Sequence, residues 1–225
     1  MRRFLCSDIP AAGAQVALDG PTSHHLLRVT GIAPGEQVEL FDGQGVAARA
    51  SLVEVREGLA VLSILEAVDP PTADRPLWLL PALVRPAAME TVIRMATELG
   101  VARITPLQTE RVVARGDKSE RWRRIVSASA AQCGRADVPQ VDAPLTLEAA
   151  LDLVGSGWRV QICVPGVDGS MADEGPLALL VGPEGGWTEE ELALAVSGGV
   201  SPVGLGATTL RADTAAVVAL AQALA

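Results

Sequence analysis

The stretch from Leu177 to Thr214 constrains what this chain can fold into more than any other. Leu177-Ala178-Leu179-Leu180-Val181 is an unbroken apolar run stopped by Gly182-Pro183, which fits a strand covered on both faces, as in a parallel sheet between helices. The turn that follows, Gly182-Pro183-Glu184-Gly185-Gly186, would lie at the strand's carboxyl end, where open α/β sheets bind ligands. Pro183 removes a backbone donor, and the glycines allow a ligand close to the main chain. Thr188 with Glu191 three residues on reads as a capping box that starts a helix. A short strand ending at Leu205 follows, then a second glycine-bearing turn running to Arg211 and Asp213. Side by side, the two turns would make one pocket. Taken alone, the first turn is also compatible with a tight strand-to-helix connection that binds nothing.

The usual phosphate cradles do not fit. A P-loop needs its motif lysine, and the one lysine of the chain, Lys118, stands in no such pattern. Gly204-Leu205-Gly206-Ala207-Thr208-Thr209 lacks the third glycine of a dinucleotide fingerprint and falls late in the chain. A ligand held mainly by main-chain groups is expected instead.

Before this region the pattern changes once. Residues 1 to about 68 read as short strands and turns, with Val38 to Phe41 and Val46 to Val55 flanking the hairpin signal Asp42-Gly43-Gln44-Gly45, and Leu59 to Leu65 beyond Glu57-Gly58. Asp69 to Pro76 has the composition of a linker, so a β-rich domain over 1–70 and an α/β domain over 71–225 are expected. In the second domain, Leu77 to Leu80 reads as a strand. Pro86 opens an amphipathic helix closed by Gly100, and Val101 to Leu107 reads as a strand. Asp117 or Ser119 caps a helix to about Cys133, Thr146 opens another, and Trp158 to Val164 is a strand. The last helix, from Thr214 to Ala225, is apolar nearly all round and must be buried in the fold or against another chain, most simply a second copy.

Charge is distributed unevenly. The net charge is −9, yet Glu110 to Arg135 holds Arg111, Arg115, Lys118, Arg121, Arg123, Arg124 and Arg135 against three acids, a local +4. Such an island is either a polyanion footprint or a solvated helix face. Cys6, Cys133 and Cys163 are widely spaced, odd in number and without Cys-x-x-Cys, which fits a reducing cytoplasm and indicates no disulfide framework or zinc site. His24 and His25 are adjacent and point apart, a poor metal pair, so no metal is expected. Asp8 and Pro10 interrupt any signal-peptide reading of the start, and no apolar run is long enough to span a bilayer.

Several pieces then converge. Val181 to Gly186, Thr188 to Glu191, Gly204-Leu205-Gly206 and Leu210-Arg211-Ala212-Asp213-Thr214-Ala215 resemble the ribosomal small-subunit RNA methyltransferase E family. So do Met1-Arg2-Arg3-Phe4, His24-His25-Leu26 with Pro34-Gly35, Thr97 to Val101, Ile104-Thr105-Pro106, Thr109-Glu110-Arg111, and Ala131 to Arg135 with Pro139. The resemblance implies an N-terminal PUA-like β-barrel that presents RNA and a SPOUT-type α/β domain with a C-terminal trefoil knot. It further implies a cytoplasmic homodimer that uses S-adenosylmethionine, without metal, to methylate N3 of a uridine in 16S ribosomal RNA of the small subunit.

By the same resemblance, Val164, Pro165 and Val181 to Gly186 (Gly182, Pro183, Glu184 and Gly185 between them) would bind the cofactor, with Leu205, Gly206, Leu210 and Thr214. Arg211 and Asp213 would be catalytic, or else a structural pair at the start of the last helix. Arg2, Arg3, Arg28, Arg111, Arg121, Arg123, Arg124 and Arg135 would contact RNA. Many family members carry longer or more basic residues where this chain has Thr30-Gly31, Ala88 and Thr208, and glutamate where it has Asp213. A non-catalytic ribosome-assembly protein of this fold, or a methyltransferase of another RNA position, would share these features.

Overall fold

The computed structural model describes residues 1–112 and 116–225, and the chain divides into two compact units. The first comprises Met1–Thr72 together with Ser127–Val138, and the second comprises Ala73–Val126 and Pro139–Ala225. The units therefore do not follow a single cut near residue 70, because twelve residues from the middle of the chain group with its start.

In the first unit the strands are Arg3–Leu5 (β1), Gln15–Ala17 (β2), Gln37–Phe41 (β3), Ala47–Arg56 (β4) and Leu59–Val68 (β5). They form one sheet in the order β1-β3-β4-β5-β2, in which β1 lies parallel to β3 and the other pairings are antiparallel. The hairpin expected around Asp42–Gly45 is present, pinned by the Asp42 carboxylate, which accepts from the amides of Gln44 and Val46 at 2.7 and 2.9 Å. Strands β1 and β2 end the order at opposite sides, so the described pairings make an open sheet where a closed barrel was expected.

A short helix, Gly20–His24 (α1), runs on into a π-helical turn at His25–Val29, in a stretch read as strands and turns. Asp19 caps it by accepting from Thr22 N at 2.6 Å, and Pro21 sits in its first turn. Ser23, fully buried, donates to Leu18 O and accepts from Ala60 N, both at 3.0 Å, tying α1 to β5 over a core of Leu26, Val38, Leu40, Leu52 and Leu62.

The second unit carries Leu77–Pro81 (β6), Pro86–Glu98 (α2), Arg103–Ile104 (β7), Leu107–Gln108 (β8), the start of Ser119–Cys133 (α3), whose residues 127–133 belong to the first unit, Gln140–Val141 (β9), Leu145–Thr146 (β10) and Leu147–Val154 (α4). Arg159–Cys163 (β11), Leu177–Val181 (β12), Glu189–Ser197 (α5), Ser201–Val203 (β13) and Ala212–Ala223 (α6) complete it. Six strands form an all-parallel sheet in the order β13-β11-β12-β6-β7-β9, which makes the chain an α/β protein. Every residue of β6 and β12 is buried, as strands covered on both faces require. The strand expected from Val101 to Leu107 is broken in two. Pro106 has no N–H to pair, and beyond it Leu107 leaves the main sheet to bridge Ala82 and pair with β10.

Arg75, in the expected linker, is anchored. Its guanidinium donates to the carbonyls of Ala172, Glu174, Gly175 and Ala223, joining the segment before β12 to the end of α6.

A polar cluster fastens the β6–β7–β9 side of the sheet. Asp142 takes Arg103 Nε at 2.7 Å and Nη2 at 3.1 Å, receives the Thr105 hydroxyl, and accepts from Gln140 Nε2 at 2.8 Å. Trp78 Nε1 donates to Thr105 Oγ1 at 2.8 Å, and the Arg103 guanidinium lies over the Trp78 ring, 4.2 Å from its centroid. Burial pushes the Asp142 carboxyl up, but the hydrogen bonds from Arg103, Thr105 and Gln140 and the Arg103 charge outweigh it, so its pKa is lowered. A carboxylate depressed in the folded state contributes stability above its unfolded pKa, about 3.9, and loses it as pH falls through the folded value. Asp142→Asn is expected to cost about 2 kcal/mol at neutral pH. The variant should also flatten the acid limb of stability below about pH 4. Urea unfolding at pH 7 and at pH 3 to 4 measures both effects.

Candidate functional site: a cleft at the carboxyl ends of the strands

The sheet order builds the site. Strand β12 lies between β11 and β6, and β13 lies on the far side of β11, so the segments leaving β11, β12 and β13 emerge together. After β13 the chain returns through residues 204–211 to α6, which packs on α2, β6 and β12. An open cleft of about 650 Å³, counting its solvent-facing mouth, lies among these segments.

Its walls are those the sequence singled out. Val164 and Pro165 come from the segment after β11, and Val181, Gly182, Pro183, Glu184 and Gly186 from β12 and its turn. Leu205, Gly206 and Leu210 come from the return segment. Gly185 and Thr214 are not in the lining. A Cβ built on Gly185 would stand 3.1 Å from Arg111 Cβ, so the missing side chain makes room for Arg111. Thr214 is exposed on the first turn of α6.

The structure adds Cys163, Trp187, Thr208, Thr209, Ala212 and Ala215 to the lining. Trp187 is the telling omission. Its indole Nε1 donates to Cys163 O at 3.1 Å, linking the turn after β12 to the end of β11, and a Cβ at Gly182 would come within 3.0 Å of the same nitrogen. An aromatic residue directly after the glycine turn was the available signal. Burial pushes the Cys163 thiol up to about 12, so it lines the cleft as a neutral thiol.

The capping box is present as expected. Thr188 Oγ1 accepts from Glu191 N at 3.2 Å and Glu191 Oε2 accepts from Thr188 N at 2.9 Å, which fixes the exit of the turn into α5. The return segment is held by contact of main chains. A Cβ at Gly204 would lie 2.1 Å from Val167 O and one at Gly169 2.9 Å from Pro202 O, so the segments following β11 and β13 touch backbone to backbone. Only glycine fits at Gly204. This approach ends β13 at Val203, two residues short of the expected Leu205.

Helix α6 begins at Ala212, with Arg211 as its N-cap residue and Arg211 O accepting from Ala215 N at 2.7 Å, two residues earlier than the expected start at Thr214. Asp213 therefore sits inside the first turn, where its Oδ1 accepts from Thr214 N at 2.9 Å. Arg211 Nε lies 3.8 Å from the same oxygen, and its side chain is 84% exposed. Neither residue lines the cleft, but Ala212 between them and Ala215 after them do.

The residues expected at RNA divide into groups. Arg3 is buried, bonded to Glu39 Oε1 at 2.8 Å and to the carbonyls of Ala130 and Arg135 at 3.0 and 2.7 Å. Arg135 is equally covered and paired with Asp137. Both hold the first unit together, and neither is carried forward as an RNA contact. Arg111 donates to Gly185 O and Trp187 O, and Arg123 to Val141 O at 3.3 Å. Arg121 pairs with Glu90 at 2.7 Å and Arg124 with Glu120 at 2.7 Å, both on exposed surface. Arg2 donates to Thr30 O, and Arg28 is exposed. Arg115 lies outside the described residues. Among the described residues no three His, Cys, Asp or Glu side chains converge, and no helix is long and apolar enough to cross a membrane.

An all-parallel sheet with a mostly apolar cleft at its carboxyl ends defines an α/β ligand-binding protein, and residues 71–224 match the RNA methyltransferase domain family. A ribosomal RNA small subunit methyltransferase E of Synechocystis sp. is 38% identical over 93% of this chain and 72% of its own length. One of Mycobacterium bovis is 34% identical over 96% and 88%. The crystal structure of a ribosomal RNA small subunit methyltransferase E from Neisseria gonorrhoeae bound to S-adenosyl methionine superposes with a TM-score of 0.92 at 32% identity, covering 98% of this chain and 95% of that one. The chain belongs to the RNA methyltransferase family and, within it, to the ribosomal RNA small subunit methyltransferase E family.

The Gly182–Trp187 contact gives a direct check. Gly182→Ala is expected to displace the indole and break its bond to Cys163 O, at a cost of about 1 to 3 kcal/mol. A fall in thermal stability with a shift in tryptophan emission is expected. Unchanged emission and stability would show that the turn absorbs the methyl group.

Proposed function

We propose that this protein transfers a methyl group from S-adenosylmethionine to N3 of a uridine in 16S ribosomal RNA of the small subunit. The observation that carries the cofactor assignment is the chemistry of the cleft lining. Among the described residues the lining has no lysine or arginine, its one charged side chain is the exposed carboxylate of Glu184, and its walls are Leu205, Leu210, Val164, Val181 and main chain. That set suits a nucleoside with an apolar-faced base, no phosphate and a positive charge, and it suits a nucleotide poorly. The family relatives' shared name supports the RNA substrate.

S-adenosylmethionine, when bound, supplies a methyl group on a positively charged sulfur. The chain's own residues do the rest. Leu205 and Leu210 would face the base, with the main chain of 182–186 and 204–206 offering the polar contacts. Uracil N3 must lose its proton, and Asp213 is our candidate for orienting or accepting it. Asp213 stands in the first turn of α6 beside the cleft-lining Ala212, and its Oδ1 already accepts from Thr214 N at 2.9 Å, a fixed geometry that suits an orienting role. Arg211, exposed and next to the cleft-lining Leu210 and Ala212, would counter charge developing on the uracil oxygens.

For RNA binding we retain the exposed Arg2, Arg28, Arg121 and Arg124, together with Arg123. We further propose a PUA-like role in RNA presentation for the first unit. The trefoil knot implied by the family resemblance is proposed for the C-terminal part of the second unit. A homodimer would cover Val217 and Val218 on α6 and Leu224 just beyond it, which the single chain leaves partly exposed. Cytoplasmic action on the small subunit without a metal completes the proposal.

Single-turnover transfer to small-subunit RNA, read as methylated nucleosides by mass spectrometry, tests the proposal. The wild type should yield 3-methyluridine. Asp213→Asn should keep fold and cofactor affinity and slow transfer by about a hundredfold or more. A different methylated nucleoside would move the target, and near-normal transfer by Asp213→Asn would leave Asp213 as a helix-end residue only.

A further inference from the structure

Arg111 opens the basic island, yet its side chain points at the cleft's own framework. Nη1 donates to Gly185 O at 2.9 Å and to Trp187 O at 3.1 Å, reaching both sides of Gly186 on the outer face of the turn. The neighbouring amide, Glu110 N, donates to Glu191 Oε1 at 2.9 Å, while the other oxygen of that carboxylate closes the capping box of α5. The segment at Glu110-Arg111 thus grips the turn at two points and the first turn of α5 at a third. Gly185 permits the grip, since a Cβ there would stand 3.1 Å from Arg111 Cβ. The opposite, inner face of the same turn supplies Pro183, Glu184 and Gly186 to the cleft.

We propose that Arg111 is a positioning residue for the cofactor, holding the 182–187 turn from outside so that its inner face keeps the shape the ligand meets. A glycine turn has many conformations of similar energy, and a ligand that must order it binds more weakly by the fraction of time the turn is correctly shaped. A charged donor shared by two carbonyls restricts the turn before the ligand arrives. This proposal rests on the reading of the cleft as an S-adenosylmethionine site.

The test uses the full chain with Arg111→Ala, Arg111→Lys, Gly185→Ala and the Arg111→Ala/Gly185→Ala double variant. Calorimetry with S-adenosylmethionine should show about tenfold weaker binding for Arg111→Ala, the loss expected of a charge-assisted hydrogen bond. Arg111→Lys should recover part of it, because an ammonium also donates to carbonyls. Gly185→Ala should resemble Arg111→Ala, and the double variant should be little worse than either single one. KM for the cofactor should rise with kcat nearly unchanged. Affinity for small-subunit RNA and its salt dependence should stay at the wild-type level.

Amide exchange at Gly186, whose N–H is bonded to Pro183 O at 2.9 Å, should quicken in Arg111→Ala without any ligand present. Absence of S-adenosylmethionine binding by the wild type would refute the cleft reading while leaving the exchange result to judge the grip. Wild-type-like cofactor affinity and Gly186 exchange in Arg111→Ala, or a selective loss of RNA affinity, would overturn the role given to Arg111.

Discussion

The structure of the second unit depends on a contact that no side chain makes. The segments after β11 and β13 meet main chain to main chain, with Gly204 pressed on Val167 O and Gly169 on Pro202 O, so that no Cβ fits at either glycine. The parallel pairing of β11 with both β12 and β13 brings the carboxyl ends of the three strands together, and this contact holds the segments beyond them at van der Waals distance. The cleft is the space left between that crossing and the turn after β12. Helix α6 then closes the arrangement from behind by packing on α2, β6 and β12. A parallel, fully buried strand is therefore not only a core element here, since its register fixes where the ligand-binding backbone lies.

Charge is used in two ways. Among the described residues the cleft lining has a single charged side chain, Glu184, and no cation, which suits the phosphate-free, positively charged ligand proposed for it. The arginines serve largely within the fold. Arg3 and Arg135 tie the first unit together, Arg103 clamps Asp142 at the sheet, Arg75 gathers four carbonyls, and Arg111 grips the glycine turn. A guanidinium is suited to such work because its several donors satisfy carbonyls that a turn leaves unpaired. Of the described basic residues between Glu110 and Arg135, Arg111 and Arg135 are engaged within the fold, whereas Arg121 and Arg124 lie on exposed surface.

Local signals were legible where the physics is local. The apolar run Leu177–Val181, the Thr188–Glu191 box, Pro86 at the head of α2, Thr146 at the head of α4 and the Asp42–Gly45 hairpin each appear where periodicity and capping chemistry place them. Most of the cleft lining follows from the two glycine turns. What escaped is set by distant contacts. Nothing near Gly185 tells which face of its turn meets Arg111, and nothing near Arg135 announces that residues 127–138 group with the first seventy or so. Charge counting could not distinguish an arginine that meets solvent from one that meets carbonyls. The helix and π-turn from Gly20 to Val29 were missed although Asp19-Gly20-Pro21 offered both a cap and a first-turn proline, because the flanking strands dominated the pattern.

The central claim is that the cleft between the 182–187 turn and residues 204–210 is the seat of the methyl donor. A crystal structure of this protein grown with S-adenosylmethionine tests it most directly. The account predicts the ligand between the 182–187 turn and residues 204–210, its base against Leu205 and Leu210, its contacts mainly to main chain, and the Arg111 bonds to Gly185 O and Trp187 O intact. A ligand bound elsewhere on the chain, or a cleft left empty at saturating ligand, would contradict it.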